Sequence, residues 1–290
     1  MDVELGLPTS KLRFLNLGCG ARFHQDWVNV SFTSTGRGVI AANLCKGIPF
    51  PEETFDLVYH SHLLEHFSKV DAPKFLHECY RVLRPGGIIR VVVPDLEAIA
   101  RQYLQALENA NVGVEGSQHS YDWMLLEMFD QVTRNQSGGE MVCYLSQQSI
   151  PNEEFVVSRC GVEAKNLIDA RRKKRNEVDA GSVKNKSIIQ KVLSALLRPY
   201  LLRERLLLSL LGDEFSALQI GRFRLSGENH QWMYDSYSLS RLLKAAGFKG
   251  FVVRSASESY NPNWSSYNLD TEPDGSIYKP DSLFVEAIKA

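Results

Sequence analysis

Leu15-Asn16-Leu17-Gly18-Cys19-Gly20 is the stretch that decides the fold. Its apolar residues read as a buried strand that runs straight into a turn with glycine at the first and third positions. Glycine lacks a Cβ and tolerates positive φ, so a ligand can lie against the backbone there. At the carboxyl end of the first strand of an open α/β sheet, such a turn is where nucleotide-like ligands sit. A Gly-x-Gly turn also occurs in proteins that bind nothing, so the flanking chain has to carry the rest.

Outward from this turn, strand-like and helix-like patterns alternate. Residues 11–17 read as strand 1, residues 27–30 as strand 2, residues 38–42 as a short strand 3 and residues 55–59 as strand 4. Residues 71–83 then read as a helix, with Phe75, Leu76, Cys79, Val82 and Leu83 at helical spacing. Pro73 falls in its first turn, where a missing N–H costs nothing. Arg84-Pro85-Gly86-Gly87 ends it, and the β-branched run over residues 88–93 reads as strand 5. Such alternation implies a mostly parallel sheet with helices on both faces. It resumes near the C-terminus with a helix over 239–246, capped by Ser236 or Ser238 and stopped at Gly247, and two closing strands at 251–253 and 282–287. The core is therefore read as residues 1–108 and 236–290. Residues 109–235 form a mainly helical insertion, a cap. Within it lie a basic run, Arg171-Arg172-Lys173-Lys174-Arg175, and a leucine-rich segment over 188–211 in which Pro199 kinks or divides a helix.

Composition narrows the class. The 290 residues are 44% hydrophobic and 23% charged, as in ordinary soluble domains, and the formal net charge of −1 gives no drive toward nucleic acid. Five cysteines without a CxxC pair argue against a disulfide framework or zinc knuckle and fit a reducing cytosol. No apolar run approaches the ~20 residues of a spanning helix, and the N-terminus lacks the pattern of a secretory signal. The expected location is cytoplasmic, including the inner face of a membrane.

With Leu15-Asn16-Leu17-Gly18-Cys19-Gly20, Pro49-Phe50-Pro51, Phe55-Asp56-Leu57-Val58, Leu64-Glu65-His66 and Arg81-Val82-Leu83-Arg84-Pro85-Gly86-Gly87 in order, the chain resembles class I S-adenosylmethionine-dependent methyltransferases. It is most similar to the type 11 group and, within it, to enzymes of bacterial surface-glycan synthesis. The resemblance covers about residues 11–108 and 225–290. It implies a doubly wound α/β fold, Rossmann-like, with a seven-stranded mostly parallel sheet in the order 3-2-1-4-5-7-6 and strand 7 antiparallel. The cofactor, S-adenosyl-L-methionine, would cross the carboxyl ends of strands 1, 2 and 4. By position, Asn16, Leu17, Gly18, Cys19 and Gly20 match the turn that meets its methionine part. Ser31 matches the group that binds the ribose, and Asn43 with Leu44 the adenine. His60 and Ser61, with His62, match the strand 4 exit beside the sulfonium. Asn16, Ser31 and Asn43 are neutral where relatives carry acids. Serine and asparagine still hydrogen-bond, but without charge assistance, at roughly 1 kcal/mol each. Only six residues separate Gly20 from Trp27, so the first helix shrinks to about one turn.

Methyl transfer needs alignment of acceptor, methyl and sulfur, and a hydroxyl acceptor gains from a general base. His62 and His66, one helical turn apart, are candidates for the acceptor or methyl-transfer site; alternatively His66 and Glu65 pin the loop after strand 4 by hydrogen bonds. His230, where the insertion rejoins the core, is a candidate for substrate contact or base. Asp95 is an N-cap or an acceptor contact. His62-Leu63-Leu64-Glu65-His66 also fits the H-x-x-E-H zinc pattern. A strand exit in a parallel sheet with no marked third ligand opposes that, so no metal is expected. The basic run lacks interleaved aromatics, which sets nucleic acid aside. Segment 188–211 either buries against the core or a sister subunit, as in a homodimer, or lies in a membrane interface, which suits a lipid-linked acceptor. The reading is a methyltransferase acting on a sugar, glycan or other small hydroxyl. Its alternative is a non-catalytic protein of the same fold, acting in binding or assembly. A nicotinamide enzyme would want a third glycine near position 24, where His24 stands.

Overall fold

The computed structural model describes residues 12–34, 38–179 and 199–290. The first residue assigned to strand 1 and residues 188–198 of the leucine-rich segment lie outside the described residues. Seven strands form one sheet: β1 (Phe14–Leu17), β2 (Val28–Ser31), β3 (Val39–Ala41), β4 (Phe55–Ser61), β5 (Leu83–Pro94), β6 (Phe248–Arg254) and β7 (Ser282–Lys289). Their order is β3-β2-β1-β4-β5-β7-β6. The first five run parallel, with Leu15 facing Val28 on one side and Val58 on the other. β7 is antiparallel to both β5 and β6. The chain leaves β1 toward β2 and β3, then returns to the other flank of β1 as β4. That reversal opens a crevice at the carboxyl ends of β1 and β4.

The β-branched and leucine-rich strands are buried on both sides, as a doubly covered sheet requires. On one face, α1 (Asp71–Val82) supplies Phe75, Leu76, Cys79 and Val82 to a core shared with Leu15, Leu17, Val58, Ile89, Val91 and Val93. Each such aliphatic side chain contributes about 1.5–3 kcal/mol of burial. The C-terminal helix, Ser236–Ala245, adds Leu239 and Leu243. Its cap differs from expectation. Asp235 accepts from Ser238 N at 2.7 Å while Ser238 Oγ meets Asp235 N at 3.0 Å, a reciprocal capping box.

The opposite face shows how far the expected first helix has shrunk. Between β1 and β2 there is only a turn, closed by Arg22 N donating to Cys19 O at 2.8 Å. The connection between β6 and β7 covers this face instead. It brings Trp264 and Leu269 onto Trp27, Leu57, Tyr59, Val92 and Phe284. Arg90, fully buried on β5, anchors it. Its guanidinium donates to Asp270 Oδ2 at 2.8 Å, Glu286 Oε1 at 3.2 Å and the carbonyls of Ser255, Ala256 and Glu258. Tyr59 OH donates to the other Asp270 oxygen at 2.6 Å.

The chain divides into two compact units: residues 1–105, 158–162 and 230–290, and residues 106–157 and 163–229. This moves the expected boundaries. Residues 230–235 belong with the core because Gln231 N donates to Glu65 O and Leu96 N to Tyr234 O. The second unit takes part of α2 (Leu96–Asn111), then α3 (Ser117–Thr133), α4 (Gly139–Leu145), most of α5 (Glu153–Asp179), α6 (Pro199–Leu211) and α7 (Glu214–Arg224). Helix α5 breaks at Gly161, at φ +65°, where a Cβ would strike Pro280 and the Tyr278 carbonyl. That contact draws residues 158–162 into the first unit. In the second, Asp130 caps α4 by accepting from Glu140 N at 2.7 Å. Trp123 is buried with its indole N–H on Glu127 at 3.0 Å. Among the described residues no helix is long and apolar enough to cross a membrane.

Candidate active site

The glycine turn has the geometry its sequence implies. Gly18 stands at φ +68° and Gly20 at φ +53°, both in the left-handed region. Cys19 N donates to Val30 O at 3.1 Å, tying the turn to β2. A Cβ on Gly18 would lie 2.9 Å from a Leu63 methyl, whereas a Cβ on Gly20 would meet nothing within 4 Å. Gly18 thus makes room for the loop after β4, and a Cβ on Gly20 would meet no atom of the described residues.

Three residues expected at the ligand have side chains buried in the protein. Asn16 is buried, and its Nδ2 donates to Arg22 O at 3.2 Å and Asn29 Oδ1 at 3.3 Å. Asn29 in turn donates to His24 O and Trp27 O. An amide suits this place because an ionised acid has no hydrogen to donate. Leu17 is fully buried, so only its backbone can border a ligand. His60 is also fully buried, edge-on to Phe75 at 5.2 Å, with no hydrogen-bond partner for either ring nitrogen among the described residues. Burial pulls its pKa down to about 4 against the opposing charge of Glu65. Its ring is neutral and closed to a ligand.

The remaining positions divide between structure and openness. Asn43 Oδ1 caps the 3-10 turn Leu44–Lys46, accepting from Cys45 N at 3.0 Å, and Leu44 is buried in the core. Ser31 ends β2, where its carbonyl accepts from Ala42 N. Ser61, at the end of β4, is half-buried. Burial pushes the Cys19 thiol up to about 11, so it is protonated at neutral pH. Arg22, which sequence reasoning missed, braces the turn. Its guanidinium donates to Leu269 O at 2.7 Å, Thr271 O at 2.6 Å and Glu272 Oε1 at 2.9 Å, and lies 3.9 Å over the Tyr278 ring.

After β4 the chain turns sharply at His62, which has φ +48° despite being no glycine. The three histidines named from sequence meet here, around Glu65. Glu65 is fully buried, and neither carboxylate oxygen has a hydrogen bond among the described residues. His62 Nδ1 lies 3.4 Å and His230 Nε2 3.9 Å from Glu65 Oε1. His62 Nε2 is 2.9 Å from Ser282 Oγ. The His66 and His230 rings pack edge to face, centroids 4.8 Å apart at 90°. Burial pushes the Glu65 carboxyl up, but the three imidazoles outweigh it and bring it down to about 2. Tyr234 stays a neutral phenol, pushed up to about 12 by burial and then by Glu65. The only signal for Glu65 in the sequence was its place inside H-x-x-E-H. Asp95 is not part of this cluster's ion pairs. Its Oδ1 caps α2, accepting from Glu97 N at 3.0 Å and Ala98 N at 3.1 Å.

Residues 22–91 match a protein-family model described as a methyltransferase domain. A malonyl-[acyl-carrier protein] O-methyltransferase of Yersinia pestis is 29% identical over 147 residues, 43% of this chain and 51% of that protein. A protein of Aspergillus luteorubrus named as probable methyltransferase ltbC is 44% identical over 48 residues, 16% of this chain and 17% of that one. The chain thus spans about half, or less, of the curated relatives it matches. A solved SAM-dependent methyltransferase from Thermotoga maritima, described as a possible histamine N-methyltransferase, aligns at a TM-score of 0.38 and 15% identity, covering 98% of this chain and 84% of that one. Strand order and domain match together support a class I S-adenosylmethionine-dependent methyltransferase. More narrowly, the matched stretch runs from the glycine turn's own bracing arginine, Arg22, through β2, β3 and β4 into β5.

S-adenosylmethionine is the cofactor that this class uses, and the crevice fits it. A turn with positive φ at both glycines, where no atom of the described residues lies within 4 Å of a Cβ built on Gly20, lets the backbone approach a ligand. The fit is weaker at the ribose and adenine positions, where Ser31 and Asn43 offer neutral groups.

Proposed function

We propose that this chain transfers a methyl group from S-adenosylmethionine to a hydroxyl of a small acceptor of sugar or glycan type. The observation that carries the reading is the glycine turn at the β1–β4 switch point, with positive φ at both Gly18 and Gly20, in a stretch that adjoins the methyltransferase-domain match. The bound cofactor supplies an electrophilic methyl on sulfur. The backbone at Gly18 and Gly20 would hold its methionine part, with the Ser31 hydroxyl toward the ribose and the Asn43 side chain toward the adenine. The protein's main work would be to align the acceptor. Activation of the hydroxyl falls to the histidine cluster around Glu65, which adjoins the turn through Leu63. The O-methyltransferase name of the Yersinia relative supports oxygen as the acceptor atom. A lipid-linked acceptor is supported by the exposed Leu202, Leu206 and Leu210 on α6, spaced at one helical turn.

Transfer of radiolabelled methyl to a panel of sugar, glycolipid, carboxylate and amine acceptors tests the reading. Labelled sugar-type product at a rate above the carboxylate and amine arms is expected. Cofactor binding with label only on amines or carboxylates would refute the acceptor class.

A further inference from the structure

We propose that Glu65, His66 and His230 form a binding site for one divalent transition-metal ion of the zinc and cobalt type. The site deepens the methyl-transfer reading; its catalytic meaning rests on that reading, while the binding of the ion does not. Each of the three residues offers one donor atom, and these atoms lie within 4.8 Å of one another. Glu65 is fully buried, with no hydrogen bond to either oxygen. A carboxylate buried that way is a costly arrangement, and a cation at its oxygens removes the cost. His66 Nδ1 is likewise buried without a hydrogen bond. The perpendicular setting of the His66 and His230 rings separates their lone-pair directions, which a shared ion needs and a stacked pair would not give.

One carboxylate and two imidazoles are the donor set of zinc sites that keep a fourth position for water or substrate. Imidazole-rich sets also accept cobalt, nickel and copper. Bonds of about 2.0–2.1 Å in a tetrahedron place donor atoms about 3.3 Å apart. The 3.9 Å between Glu65 Oε1 and His230 Nε2 must therefore close by roughly 0.6 Å, and the widest pair, within 4.8 Å, by about 1.5 Å at most. Rotation of these side chains covers that range. The backbone holds the two contributing segments together, because Gln231 N and Trp232 N both donate to Glu65 O, at 2.7 and 3.3 Å. His62 stands behind the carboxylate, its Nδ1 3.4 Å from Glu65 Oε1 and its other nitrogen on Ser282 Oγ. Partners in that position orient a ligand and tune its basicity. The H-x-x-E-H spacing pairs His62 with His66. The structure sets His62 back and gives the third place to His230, which sequence spacing does not mark. Leu63, whose methyls border Gly18, directly precedes the Leu64–His66 turn, so the ion site adjoins the glycine turn. An open fourth position there suits a hydroxyl acceptor.

The test uses the full, tag-free chain, stripped with chelator and titrated with cobalt(II) while visible absorption is followed. Zinc then competes for the same site. One equivalent of cobalt with a tetrahedral-type visible band, displaced by zinc, is expected. Glu65→Gln and His230→Gln should each weaken zinc by more than roughly 100-fold. His66→Gln, at a half-buried position, should do the same and keeps the test decisive if the buried variants do not fold; circular dichroism monitors folding. His62→Gln should cost roughly 10–100-fold. No cobalt band in the wild type, or wild-type zinc affinity in folded His66→Gln, overturns the site. S-adenosylhomocysteine titrated into the same samples separates the two readings. Metal binding without it upholds the ion site, and its binding without metal overturns the ion site alone.

Discussion

Placing a methyl on either glycine of the turn tests what that turn is for. Gly18→Ala and Gly20→Ala both force alanine to positive φ, +68° and +53°, which costs about 1–2 kcal/mol each. They differ in what the new Cβ meets. At position 18 it lies 2.9 Å from a Leu63 methyl, so Leu63 must leave its rotamer for a further ~0.5–1.5 kcal/mol. Gly18→Ala should therefore lose about 2–3 kcal/mol of stability in urea unfolding. Gly20→Ala should lose only the ~1–2 kcal/mol of backbone strain, because no atom of the described residues lies within 4 Å of its Cβ. Both losses leave a domain of ordinary stability folded. Ligand affinity should reverse the ranking. The Gly20→Ala methyl occupies the space assigned to the cofactor, so S-adenosylhomocysteine should bind at least about tenfold more weakly by calorimetry, or ~1.4 kcal/mol. In Gly18→Ala the disturbance falls first on Leu63, and the affinity loss should be smaller. Wild-type affinity in a folded Gly20→Ala would refute the assignment of that space.

Further outcomes follow from the network on the sheet's other face. Arg90→Leu should cost about 3–5 kcal/mol at neutral pH, since it strands the buried Asp270 and Glu286 carboxylates; a loss under ~1 kcal/mol would contradict the network's role. Burial already raises the Asp270 carboxyl, with Arg90 the first of the groups holding it back. Without Arg90 the folded state keeps that proton to higher pH than the unfolded chain does, so stability is lost as pH rises through the folded pKa. The deficit should shrink on acidification in denaturant melts, and a deficit that grows would contradict the sign. Arg22→Lys keeps the charge but loses the fork onto Leu269 O and Thr271 O; a loss of about 1.5–3 kcal/mol and faster proteolysis within residues 255–281 are expected. Asp95→Ala should cost only a helix cap, about 1 kcal/mol, with methyl transfer retained, and loss of transfer in a folded variant would restore Asp95 to the acceptor site.

Legibility in the sequence followed the range of the interactions. Strands and helices whose apolar spacing is local, such as β5 and α1, could be read directly, and strand order came from the family resemblance. The exchange of the first helix for the β6–β7 connection could not be read, because Arg22 meets Leu269 and Arg90 meets Asp270 across most of the chain. The burial of Asn16 and His60 was not legible either, because both sheet faces are covered by segments distant in sequence. His62, His66 and His230 were legible as chemistry-bearing residues, whereas their convergence on Glu65 depends on the backbone bonds from Gln231 and Trp232.

The central claim is tested most directly by a crystal structure of the chain with S-adenosylhomocysteine at saturation, paired with calorimetry on the same preparation. The account predicts measurable binding and ligand density along the backbone at Gly18 and Gly20, with the ribose toward Ser31. No heat at millimolar ligand, and a crevice closed by Leu63 and the chain's own turn, would contradict it.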